Sequence, residues 1–185
     1  MNKDAYDRRR FLSKLSFAVI GTSLLSSQWF YAFVAKDQSP FAGYYPYSKQ
    51  KNDLRCAKYS GTTLKVSGTT FARNGLRTLS YVRIEVWHLS PDSKKYDHKG
   101  AFSSNASGEY TFITDMPNRI KGQLPRIFFK ISHDGRVDFT ELILNDHNAY
   151  ISHTHWENNK ALNEKLFPIY KNKLGETEIQ FNVTV

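Results

Sequence analysis

The stretch Tyr81–Ser90, YVRIEVWHLS, decides the class of fold. Val82, Ile84 and Val86 fall on one face and Tyr81, Arg83, Glu85 and Trp87 on the other, the period of two that marks a strand. The same signal recurs in both directions along the chain. TTLKVSGTTF (62–71) alternates and is followed by a turn at Asn74-Gly75. A polar loop, PDSKKYDHKG (91–100), follows Ser90, and a turn at Ser107-Gly108 leads into EYTFIT (109–114). LPRIFFKIS (124–132) has a proline at its entry and β-branched and aromatic residues within, and Asp134-Gly135 joins it to VDFTELIL (137–144). The last strand is TEIQFNVTV (177–185), with Ile179, Phe181 and Val183 on one face. Before it, ENNKALNEKLF (157–167) reads as a short helix. Many short strands, glycine turns and no strand–helix–strand period predict an all-β chain folded as an antiparallel β-sandwich.

The length of 185 residues suits one domain with a true core, and 40% hydrophobic content excludes disorder. One cysteine, Cys56, excludes an intrachain disulfide and a cysteine zinc site. It reads as a core residue, with a pairing thiol as the alternative. The net charge of +9 divides into +3 over residues 1–35 and +6 over the remainder. That favours an anionic ligand or a membrane surface. Nucleic acid is not expected, because no basic run alternates with aromatics.

The stretch 7–35, DRRRFLSKLSFAVIGTSLLSSQWFYAFVA, reads as an export signal. Arg8-Arg9 precede Phe11-Leu12 and open the uncharged segment Leu15–Ala35, which resembles a twin-arginine signal. The expected partner during export is the twin-arginine translocase, and the expected location the periplasm or cell envelope of a bacterium. The segment is also long enough to span a bilayer, so residues 15–35 are a candidate anchor. The expected organisation is therefore a signal or anchor over 1–35, an extended aromatic-rich lead over 36–58 and a sandwich over 59–185. Phe41, Tyr44, Tyr45 and Tyr47 are expected to pack the lead onto the sandwich.

Among the six histidines, His153-x-His155 is the best local pair. On a strand, residues i and i+2 share a face and reach one metal. Tyr96-x-His98 falls in a loop, and a phenolate with imidazoles suits ferric iron. A glycine-rich phosphate loop and the CxxC, HExxH and GxSxG patterns are all missing from the sequence.

The order of these pieces resembles the intradiol ring-cleavage dioxygenases of the catechol and protocatechuate type. GTTLKVSGTTFARNGLRTLSYVRIEVW (61–87) looks like the opening of their catalytic domain. KKYDH (94–98) resembles their G-x-Y-x-H loop, and GEYTFIT (108–114), followed by Pro117, their Gly-x-Tyr/Phe-x-Phe-x-Thr strand. FTELIL (139–144) and IQFNVTV (179–185) resemble their last two strands. The likeness covers about residues 53–185; transthyretin-like sandwiches share it more loosely.

In that family two tyrosines and two histidines hold ferric iron. The resemblance places the first tyrosine at Tyr96 and the second at Ile120. The histidines fall at Arg126 and Phe128, and an arginine of the family at Arg119. Ile120 and Phe128 donate nothing to a metal, and Arg126 stays protonated. The resemblance thus implies a degenerate member: an exported non-catalytic protein, without a cofactor, that binds a small aromatic or anionic ligand or a protein partner. Tyr96, Arg119, Arg126 and Phe128 are the candidate pocket. One alternative is an Fe(III) dioxygenase of an aromatic diol with a rebuilt ligand set, Tyr96, His98, His153 and His155. Another is a structural or assembly module of an exported complex.

Overall fold

A computed structural model of the chain describes residues 39–46, 48–59, 61–173 and 176–185. The expected signal or anchor of residues 1–35 and the aromatic Tyr47 lie outside the described residues. Among the described residues, no helix is long and apolar enough to cross a membrane.

Among the described residues, ten strands form two five-stranded sheets. The strands are β1 (Thr63–Phe71), β2 (Arg83–His88), β3 (His98–Ser103), β4 (Glu109–Asp115), β5 (Arg126–His133), β6 (Arg136–Leu144), β7 (Ala149–Ile151), β8 (Ile169–Lys173), β9 (Glu176–Gln180) and β10 (Val183–Thr184). The first sheet runs β4-β1-β9-β8, with β10 beside the end of β1, and the second runs β3-β2-β5-β6-β7. Helix α1 (His153–Asn159) and a 3-10 segment (Lys160–Leu166) precede β8. The helix is capped by Ser152, whose hydroxyl accepts from the His155 N–H.

The inward faces form one core. Val82, Ile84 and Val86 meet Ile127, Phe129, Ile131, Leu64, Val66, Phe112 and Phe181, all 0–1% exposed. The expected alternation thus holds on the inner face of both sheets.

Four details depart from the expected pattern. The sandwich is not wholly antiparallel, since β9 and β10 both run parallel to β1. Residues 177–185 are two strands rather than one, broken at Phe181-Asn182. There the Phe181 N–H bonds the Ser67 carbonyl, and the Asn182 side chain accepts from the Thr69 N–H. Tyr81 is 70% exposed with φ 56°, so β2 begins only at Arg83. Its outer face is also covered, with Glu85 5% and Trp87 2% exposed.

That cover is the lead. Residues 49–54 pair in turn with both sheets: Lys51 N–H to the Ala101 carbonyl on β3, and Leu54 N–H to the Ile113 carbonyl on β4. Edge strands carry unpaired backbone groups, and this segment satisfies them on one side of the sandwich. Leu54 enters the core at 2% exposure. Residues 49–54 of the lead are therefore part of the packed structure. Cys56, expected in the core, is exposed, because the chain turns outward after Leu54.

Candidate functional site

Loop 89–97 leaves β2 and returns as β3, and its two sides face different places. On one side Tyr96 meets β5. A cleft of about 20 Å³ is lined by Tyr96, Ile120, Arg126 and Phe128, with Leu89 and Asn118. The four positions mapped from the dioxygenase pattern therefore converge, although they lie on a loop, a second loop and a strand. Arg119, on the same loop as Ile120, is exposed and outside this lining.

The side chains that fill the cleft close it. Phe128 stacks on Phe41 at 4.8 Å and lies 5.7 Å from Trp87 and 6.5 Å from Tyr96. The Trp87 indole N–H donates to the Ala42 carbonyl at 3.0 Å. Tyr44 packs on Trp87 at 5.0 Å, donates to Glu85 and accepts from Lys130 Nζ at 2.8 Å. Burial is the main cause that raises the Tyr44 phenol pKa, with Lys130 opposing and Glu85 assisting. Two of the four lead aromatics, Phe41 and Tyr44, thus anchor the arm, while Tyr45 is 61% exposed beside Lys99.

Arg126 Nη1 donates to the buried Glu141 carboxylate at 2.7 Å, and Arg126 Nε is buried without a partner. A space of about 20 Å³ beside it holds roughly one water, whereas a cavity that takes a benzene ring is on the order of 150 Å³. The donor set does not fit ferric iron. It offers one phenol, with a guanidinium already paired to Glu141 and two hydrocarbon side chains.

The alternative ligand set does not converge. His98 opens β3 instead of lying in a loop, and both its ring nitrogens are engaged: Nδ1 with Ser90 Oγ at 2.8 Å and Nε2 with Asp115 Oδ2 at 2.9 Å. His153 and His155 lie in the first turn of α1, not on a strand, so residues i and i+2 point to different sides. His153 is exposed and stacks near Trp156. His155 is fully buried, accepts from Thr140 at Nδ1 and lies 4.4 Å from Phe181. The sequence pattern missed this because the Ser152 cap starts the helix four residues before the segment expected to be helical. Among the described residues, no group of three or more His, Cys, Asp or Glu is placed to hold a metal ion.

Two histidines carry a measurable consequence. Burial pushes the pKa of His88 down to about 3 and that of His155 to about 4. Each is neutral when folded, whereas the unfolded chain takes a proton below about pH 6.5. The unfolded state then binds more protons, so stability falls as pH falls from 6.5 toward 4 and continues to fall toward 3 for His88. Between pH 7 and 5 each histidine is expected to remove about 2 kcal/mol. Urea unfolding at both values measures this, with His155→Gln expected to flatten the dependence.

Neither a family model nor a curated protein sequence matches the chain. Solved structures do. The dioxygenase domain of a dioxygenase carbohydrate-binding protein fusion from Streptomyces sp. SirexAA-E aligns with TM-score 0.61 and 20% identity, over 80% of this chain and 96% of that one. Chlorocatechol 1,2-dioxygenase from Pseudomonas putida aligns with TM-score 0.59 and 14% identity, over 100% and 99%. An intradiol ring-cleavage dioxygenase from Tetranychus urticae gives TM-score 0.57 and 13% identity, over 77% and 90%. The chain therefore shares the fold of the intradiol ring-cleavage dioxygenases, and among the described residues its cleft gathers Tyr96, Ile120, Arg126 and Phe128 while no group of three or more His, Cys, Asp or Glu is placed to hold a metal ion.

Proposed function

We propose that this chain is an exported binding protein built on the dioxygenase frame, and that it does not cleave aromatic rings. One observation carries the reading. The cleft where the mapped ligand positions meet is packed with Phe128 against Phe41, and the Arg126 guanidinium in its lining is tied to Glu141. A protein partner suits this arrangement better than an aromatic ligand in the cleft, since no ring enters unless the arm over 39–46 moves. The twin-arginine-like opening and the excess of positive charge support export and an anionic partner at the cell envelope.

The test is metal content and ring opening on protein folded in the cell. The protein is expected to carry less than one tenth of an iron per chain. With ferric iron supplied, it is expected to lack the visible band of a phenolate–iron bond and to leave catechol, chlorocatechol and hydroxyquinol intact. Stoichiometric iron with ring-opened product would overturn the proposal.

A further inference from the structure

The other side of loop 89–97 carries an ordered relay that the proposed function does not use. Asp115, His98 and Ser90 are 3%, 5% and 6% exposed. Asp115 Oδ2 accepts from His98 Nε2, and it also accepts from the Cys56 N–H at 2.8 Å. With Nε2 as donor, His98 Nδ1 is the acceptor, and it faces Ser90 Oγ at 2.8 Å. Ser90 Oγ in turn accepts from the Asp97 N–H, which leaves its own proton for His98. Every bond in the chain carboxylate, imidazole, hydroxyl thus runs in the direction that a nucleophile needs. The roles and distances define such a triad, not the order of residues; here Nδ1 faces the hydroxyl and Nε2 the carboxylate.

The relay also has a mouth. Ser90 and His98 line a pocket of about 430 Å³, whose wall includes Lys51, Lys58 and Tyr59. The space admits a small ester, and Lys51, Arg55 and Lys58 against Asp92 and Asp97 leave its wall net positive where an oxyanion would develop. This pocket is distinct from the cleft of Tyr96, Arg126 and Phe128, with which it shares no lining residue.

The geometry points to Ser90 as the nucleophile of a hydrolytic site for small carboxylic esters, with His98 as base and Asp115 as the group that orients it. Ser90 Oγ bonds the ester carbonyl carbon as its proton passes to His98 Nδ1. Collapse of the tetrahedral adduct breaks the carbon–alkoxy bond, and the alcohol leaves with that proton. Water then attacks the acyl-serine by the same route, which releases the carboxylic acid and restores the Ser90 hydroxyl.

The test uses the full chain and a fluorophosphonate, with adducts located by peptide mass spectrometry. One adduct per chain on Ser90 is expected, with labelling lost in Ser90→Ala. Hydrolysis of 4-nitrophenyl acetate is expected to fall on the order of 10³-fold in Ser90→Ala and in His98→Asn. Wild-type labelling decides the matter even if a variant fails to fold. No adduct on Ser90, or ester hydrolysis unchanged in Ser90→Ala, would overturn the inference. Iron content and ring opening read the other proposal independently, so either can fail alone.

Discussion

Gly68→Ala is expected to destabilise the protein by about 3 kcal/mol or more, among the largest effects of adding a single methyl group. Gly68 lies in the middle of β1, where the chain passes from β9 to β10. A Cβ there would sit 1.8 Å from the Phe181 carbonyl oxygen and 2.8 Å from its carbon. Those are backbone atoms, and they are held from both directions. The Phe181 N–H bonds the Ser67 carbonyl, its oxygen accepts from the buried Tyr110 hydroxyl, and its ring fills the core at 0% exposure. Relief therefore requires the parallel seam between β1 and the C-terminal strands to open. Chemical denaturation is the measurement, with soluble yield at 37 °C beside it. A loss below about 1 kcal/mol would mean that the seam yields easily and that the break at Phe181-Asn182 is not a fixed feature of the fold.

The same seam shows where sequence reading succeeds and where it stops. Alternation is a property of neighbouring residues, so the inner faces of β2, β5 and β9 could be read directly from Ile84, Val86, Ile127, Phe129 and Ile179. Pairing partners are not encoded locally. Nothing in TEIQFNVTV distinguishes a strand that runs parallel to β1 from one that runs antiparallel. The cleft was legible only through resemblance, which placed Tyr96, Ile120, Arg126 and Phe128 together from a shared order of motifs. Its filling was not legible, because Phe41 and Glu141 reach it from remote parts of the chain. The relay was hidden in the same way: Ser90, His98 and Asp115 belong to a loop, one sheet and the other sheet. The HxH pair misled for a local reason, since two residues of strand and two of a helical first turn look alike until the Ser152 cap is recognised.

Gly43→Ala is expected to detach the arm over 39–46 and open the cleft. Gly43 has φ +79°, a left-handed conformation that costs an L-residue roughly 1–2 kcal/mol. A Cβ there would also meet Tyr96 Cγ at 2.2 Å and both ring Cδ atoms within 2.5 Å. These atoms are at the root of the ring, so a rotation of the distal phenol does not clear them. The combined strain is about 2–4 kcal/mol. The arm holds on through the Phe41–Phe128 stack, the Trp87–Ala42 bond and the Tyr44 contacts, each of which a detached arm would lose. Because residues 49–54 are paired separately to β3 and β4, release ends near residue 48 and the sandwich persists. Hydrogen exchange is then expected to show protection lost over 39–46 and kept in β1–β6. A dye that fluoresces on apolar surfaces is expected to bind the exposed Trp87 and Phe128. Unchanged protection over 39–46 would show that Tyr96 moves instead. In that case the cleft is closed by β5 and its own loop, and the arm is not what keeps an aromatic ligand out.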